Sequence, residues 1–384
     1  ASLNIQYIID AFKSPKPKKR NKIDLKISTV HLTNGTFEYS VNDKEKLNKF
    51  DPNHISVSNL NARLSLKSLT PDSLNIQVKK LSLDEQSGLQ IKNLTTRVIT
   101  QKEKAWLKGF RLDLPESFLQ FDKFVVDMTD SADSKNIWEN LIYDCTIAPS
   151  YISPKDIAAI APELQYFKDL ISIEASITGS ADDISVSDFI FDYKGGLHLV
   201  SNIEVKGLRN KDEMYILGSV DSLTTNGAEL KSFIRNFSKN EIYLPGTVTN
   251  LKHISFQGDI SGYLKELVAF GTIESDFGII NTDLLFGFNS DKYTKSYFKG
   301  KLLTSDFQIG KLLNNKDLNK TSLDLEVDLR KPVYGYPKGS LSGVLYDFDY
   351  KGYSYADVNL DMTYDGLKLE GMLNMDDEYG SATL

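Results

Sequence analysis

Leu323-Asp324-Leu325-Glu326-Val327-Asp328-Leu329 places an aliphatic side chain at every odd position and a carboxylate at every even one. An extended backbone sends successive side chains to opposite faces, so this run is a strand with one oily side and one wet side. Downstream, Val358, Leu360, Met362 and Tyr364 alternate up to Asp365-Gly366, and Leu367, Leu369 and Leu373 lead away. That reads as a two-residue hairpin whose turn requires positive φ. Alternation therefore nominates Leu323, Leu325, Val327, Leu329, Val358, Leu360, Met362, Leu367, Leu369 and Leu373 as the lining of one apolar face.

A second pattern, apolar-x-apolar-x-x-apolar, recurs along the rest of the chain. It is found at Ile55-x-Val57-x-x-Leu60, Leu89-x-Ile91-x-x-Leu94 and Ile184-x-Val186-x-x-Phe189, with variants at Leu25-x-Ile27-x-x-Val30 and Ile76-x-Val78-x-x-Leu81. Two polar residues in a row reverse the facing of a strand unless a bulge absorbs one of them. Each instance is thus either a kinked strand or a strand, a turn and a new strand.

The second half repeats with a period of about 82 residues. Ile177-Thr178-Gly179 recurs as Ile260-Ser261-Gly262 and Leu341-Ser342-Gly343; Gly196 corresponds to Gly278, and Tyr215-x-x-Gly218-x-Val220 to Tyr297-x-x-Gly300-x-Leu302. Fixed self-similarity marks units that cannot bury an apolar face alone and join their neighbours. We divide the chain into an N-terminal β segment, residues 1–152, with a short opening helix, and a repeating segment, 153–384, with units at about 171–253, 254–335 and an incomplete 336–384.

Helical periodicity is scarce. Ile5, Ile8, Ile9 and Phe12 share a helical face, as do Leu230, Phe233, Ile234 and Phe237, and Ile309, Leu312 and Leu313 form a shorter stripe. Ser153-Pro154-Lys155-Asp156 has the form of a helix start, with Ser153 as cap and Pro154 at the first helical position, and Pro162 breaks or restarts that helix. About five short helical segments against something on the order of 25 strands are too few for a helical layer, so they read as plugs over openings or edges.

Composition narrows function by exclusion. A net charge of -7 removes the footprint of a duplex-binding protein, so no nucleic-acid partner is expected. The basic run Lys16-Pro17-Lys18-Lys19-Arg20-Asn21-Lys22 reads as an exposed connector. A single cysteine, Cys145, permits no internal disulfide. His31, His54, His198 and His253 are scattered without ligand spacing, and Asp376-Asp377-Glu378 lacks the alternating ligands of a calcium loop. No phosphate loop or nucleophile elbow is present in the sequence, and Asp182 and Asp183 sit where a turn explains them. No enzyme and no cofactor is expected.

At the repeat junctions a family resemblance emerges. Ile173-x-Ala175-x-Ile177-Thr178-Gly179-Ser180-Ala181-Asp182-Asp183-Ile184-Ser185-Val186 resembles the recurring segment of the TamB and AsmA-like cell-envelope proteins. Phe307-Gln308-Ile309-Gly310-Lys311-Leu312-Leu313 looks like their short helical insert, Tyr353 to Leu373 is similar to their later strands, and the opening Leu3 to Phe12 followed by a basic loop fits as well. The resemblance implies a mainly β, elongated, curled antiparallel sheet forming a taco-like groove. It also implies a periplasmic segment of a Gram-negative envelope protein whose apolar lining carries phospholipid acyl chains between inner and outer membranes. The implied partners are the inner membrane, through an anchor expected beyond this piece of chain, and an outer-membrane barrel of the BamA/TamA type.

The physical case is independent of the resemblance. A long strand array with one apolar face needs a cover, and acyl chains would supply one. Three rivals remain: a dry solenoid or sandwich acting as an assembly scaffold of the envelope, an enzyme using scattered carboxylates, and an outer-membrane barrel.

Overall fold

The computed structural model describes residues 24–383 apart from 42–44, 48, 71, 129–140, 195, 211, 238–245, 289–293, 367 and 378–379. The expected opening helix and basic connector lie outside these residues, as do Leu367 and Glu378. Among the described residues the chain forms one sheet of 21 strands. In the first half these are β1 (Ile27–Ser40), β2 (His54–Thr70), β3 (Ser73–Glu85), β4 (Gln90–Ile91), β5 (Asn93–Gln101), β6 (Lys104–Asp113), β7 (Phe118–Asp127), β8 (Ile142–Ile152), β9 (Ile171–Gly179) and β10 (Ile184–Tyr193). The second half adds β11 (Leu197–Lys206), β12 (Tyr215–Thr225), β13 (Ile254–Tyr263), β14 (Glu266–Ser275), β15 (Gly278–Phe288), β16 (Thr294–Phe307), β17 (Leu318–Pro332), β18 (Lys338–Tyr350), β19 (Tyr353–Asp365), β20 (Lys368–Asp377) and β21 (Gly380–Thr383).

Pairing runs in chain order and is antiparallel throughout. The two-residue β4 is a side branch on β3, which continues to β5. No pairing joins β1 to β21 among the described residues, so the meander is an open sheet and not a barrel. Its accessible surface is 24899 Å² for 43.2 kDa, against roughly 15,000 Å² for a compact monomer of that mass. The excess is what a single-layered sheet leaves in water.

The doubled polar positions are mostly bulges. Register slips fall between Val57 and Leu60, Val186 and Phe189, Ile27 and Val30, and Val78 and Leu81, within β2, β10, β1 and β3. Asn59 and Asp188, each with φ of 51°, take the left-handed conformation that absorbs the extra residue. Leu89 to Leu94 instead spans β4, a break and β5, so there the strand-turn-strand reading holds.

The third copy of the repeat departs from expectation. Ile177-Thr178-Gly179 and Ile260-Ser261-Gly262 lie at strand ends before turns, but Leu341-Ser342-Gly343 lies inside β18. What the copies share is backbone geometry: Gly179, Gly262 and Gly343 have φ of 128°, 132° and 142°. A Cβ on them would stand 2.1, 2.2 and 2.1 Å from the carbonyl oxygens of Asp183, Glu266 and Asp324 on the paired strand. That requirement can be met at a strand end or mid-strand, so the motif reports a kink and not a unit boundary.

Among the described residues, helices are confined to one rim. They are α1 (Pro154–Ile157), a 3-10 turn (Pro162–Tyr166), α2 (Gly227–Phe237), α3 (Gly246–Thr249) and α4 (Ile309–Leu313). They occupy the β8–β9, β12–β13 and β16–β17 connections, which exit the same end of the sheet because successive turns of a meander alternate ends. The 3-10 turn touches α2, and α3 touches α4, so the inserts form a line along that rim. The expected cap at Ser153 takes another form: its hydroxyl bonds Glu116 Oε2 at 3.0 Å, while the Asp156 carboxylate accepts from Glu116 N–H at 2.7 Å and Ser117 Oγ at 2.6 Å. The side chains that would have capped a helix instead lash α1 to the β6–β7 turn.

Candidate functional site

The register places the nominated side chains on one face. Leu302, Leu325, Gly343, Leu360 and Leu373 are successive cross-strand partners from β16 to β20. Beside them run Gly300, Val327, Leu341, Met362 and Gly371, then Phe298, Leu329, Gly339, Tyr364 and Leu369. Leu323, Leu345 and Val358 make the fourth row. Leu323, Leu325, Leu345 and Val358 form a buried cluster against which Leu360 and Leu373 pack, Val327 is buried and Met362 half-buried. Leu329 and Leu369 are 41% and 63% exposed. Leu367 lies outside the described residues, and Asp365 pairs with Lys368, so the hairpin closes one position later than the sequence suggests.

The same row continues upstream without a charge. From Leu302 it passes to Thr282, Gly271, Gly258, Val220, Ser201 and Phe189. Eleven strands, β10 to β20, thus share an uncharged strip, roughly 50 Å long at the usual strand spacing. Alternation alone missed this part because β15 carries Leu284, Leu285 and Phe286 in succession, which assigns no face, and because threonine and glycine interrupt the hydrophobic pattern.

Those interruptions have physical roles. Thr282 donates to Gly271 O at 3.3 Å, Thr304 to Thr321 O at 3.3 Å and Thr321 to Asp347 O at 3.0 Å. A hydroxyl turned onto its own sheet leaves the γ-methyl for the face, so these threonines behave as small apolar residues. Ser201 differs, its hydroxyl being buried without a protein partner. The glycines remove side-chain bulk from the apolar face, and with the bulges they let the sheet bend.

Curling is recorded by one contact. Phe50 N–H, in the β1–β2 connection, donates to Ala159 O in the β8–β9 insert at 3.0 Å. Those connections would stand roughly 29 Å apart in a flat sheet. Asp51, 2% exposed, organises the loop by accepting from Leu47 N–H at 3.1 Å, Asn53 N–H at 2.9 Å and His54 Nδ1 at 2.9 Å. The His54 hydrogen bond is the main reason its carboxyl is pulled down to about 2.

The opposite face is built from charge, around a concavity of about 720 Å³ lined by Asp283, Lys299, Lys301, Asp324 and Glu326. Lys301 reaches Asp324 at 2.9 Å and Arg330 reaches Asp328 at 3.0 Å, with Lys299 and Glu326 beside them. The Asp324 hydrogen bond raises the Lys301 ammonium, and Arg330 lowers the Asp328 carboxyl. Exposed pairs of this kind contribute little stability but keep this side of the sheet wet.

One stretch of the apolar face is covered by the chain itself. Phe233 of α2 and Phe167 close over Tyr193, Ile171 and Leu197 at the helical rim, with Phe167 edge-on to Tyr193 at 5.6 Å and to Phe233 at 5.9 Å. The α2 stripe is therefore a plug, as its periodicity suggested. In the α4 stripe Ile309 and Leu312 are half-buried, whereas Leu313 is 59% exposed.

No group of three or more His, Cys, Asp or Glu lies together among the described residues. His54 and His198 bond to Asp51 and Asp192, and Asp182 and Asp183 accept from the backbone of Arg209 at 3.1 Å and Gly207 at 3.2 Å, bracing two turns. Cys145 is buried between Phe124 and Ile177, and burial pushes its thiol up to about 11. No helix of the described residues is long and apolar enough to cross a membrane. The chain matches no family model, no curated protein and no solved structure.

Proposed function

We propose that the chain is a lipid-conducting groove of the cell envelope, holding phospholipid acyl chains on its apolar face as they pass between inner and outer membranes. The observation that carries this reading is the uncharged strip from Phe189 to Leu373, set against a charged opposite face and backed among the described residues by no second sheet. Burying a 16-carbon tail there gains on the order of 10 kcal/mol gross at about 0.8 kcal/mol per methylene, with no specific polar contact needed. Uniform lining favours sliding over capture, which suits a conduit without a reactive centre. Attachment to the inner membrane through a segment beyond this chain, docking on an outer-membrane barrel and residence in the periplasm belong to the same proposal.

The buried cluster around Leu325 and the plug under Phe233 favour a second reading, a scaffold whose face is satisfied by its own side chains. Binding of a phospholipid with a fluorescent acyl tail separates the two. The groove predicts saturable uptake that long-chain phospholipid displaces and that Leu329→Asp and Leu369→Asp abolish. Uptake unchanged in both variants, or absent from the unsubstituted chain, rejects the groove.

A further inference from the structure

The rim opposite the helical inserts carries an exposed aromatic corner, Tyr334 and Tyr336, beside the end of the apolar face. In the β17–β18 turn Tyr334 is 90% exposed, Tyr336 62% and Val333 43%, and Leu369 nearby is 63% exposed. The turn is held in place: Gly366 N–H donates to Pro337 O at 2.9 Å, Lys338 pairs with Asp365 at 3.1 Å, and the Tyr336 side chain lies over Gly366. Directly beneath, on the apolar face, is a cavity of about 480 Å³ lined by Phe286, Phe298, Leu329, Pro337 and Tyr364, with Arg330 and Lys331 at its lip. Around the corner stand Arg330, Lys331, Lys338 and Lys368 against Asp328, Asp365 and Glu370, with Arg330, Lys338 and Lys368 each ion-paired to one of those carboxylates.

We infer that this corner docks on the surface of an anionic phospholipid bilayer. Tyrosine, with an apolar ring and a wet tip, suits the depth of the head groups, and Lys331 beside the two rings meets lipid phosphate. Apolar side chains held at such exposure are otherwise a cost in water. Delivery of an acyl tail from bilayer to cavity rests on the groove proposed above, whereas docking itself does not.

The test is sedimentation of the 384-residue chain with vesicles of phosphatidylglycerol and phosphatidylethanolamine, and with vesicles of phosphatidylcholine alone. Docking predicts preference for the anionic vesicles, lost roughly tenfold or more in Tyr334→Ser/Tyr336→Ser. Ile160→Ser, which removes a 55% exposed side chain from the opposite rim, is predicted to bind like the unsubstituted chain. Wild-type sedimentation of the tyrosine variant, an equal loss in Ile160→Ser, or equal binding to both vesicle types each overturns the inference. An intact dock in a chain that takes up no fluorescent lipid would reject the groove and leave the dock standing.

Discussion

Individual side chains take their chemistry from the face they occupy. Cys145 faces the apolar side, and with its thiol near 11 only about one molecule in a thousand carries thiolate at pH 8. It is predicted to resist a maleimide for hours in the folded chain and to react within minutes in denaturant; fast native labelling would show that this part of the face is wet. Gly343→Val is predicted to break the β17–β18 pairing locally, because its Cβ would meet Asp324 O at 2.1 Å in a backbone region valine avoids. Loss of amide-exchange protection at Leu325 and Val327 would report it, and unchanged protection would contradict it. Leu325 and Leu360 were legible as members of one apolar face from alternation alone. Thr282, Thr304 and Ser201 were not, since a hydroxyl bonded back to the sheet or buried within it looks polar in a sequence and sits among apolar neighbours in the fold.

Strands and helices add constraints of a different kind. Bulges in β1, β2, β3 and β10 were readable as doubled polar positions, because a strand can keep one face only by absorbing a residue. The placement of every helical insert on one rim was not readable, for it depends on counting turns, and short strands such as β4 disturb the count. Phe233 anchors α2 over Tyr193, and Phe233→Ala is predicted to cost about 3 kcal/mol in urea unfolding, at the low end for an aromatic because its site is only partly buried. A change below about 0.5 kcal/mol would mean the plug is not fastened. The β1–β2 connection should be acid-labile. Asp51 has a folded pKa of about 2, below the ordinary value of 3.8, so its contribution is complete above pH 4 and is lost as pH falls toward 2. Exchange of the Phe50 amide, corrected for its intrinsic rate, is predicted to accelerate across that window and in Asp51→Asn at neutral pH; a flat response would disconnect Asp51 from the contact with Ala159.

The whole molecule is a meander that never closes and, among its described residues, never acquires a second sheet. Self-similarity foretold an array, and the observed order of strands is as simple as an array can be. The third repeat misled because its glycine marks a kink that works in mid-strand as well as at a strand end. Where its apolar face is open, as at Leu329 and Leu369, that face meets solvent unless something hydrocarbon lies on it, and the proposed function stands or falls with that requirement. Solvent extraction and mass spectrometry of the chain, purified without detergent from a Gram-negative host, put it to the test. The groove predicts phospholipid recovered in at least equimolar amount, with mixed acyl lengths because the lining is uniform. A chain that emerges free of lipid, yet folded and soluble, would contradict it.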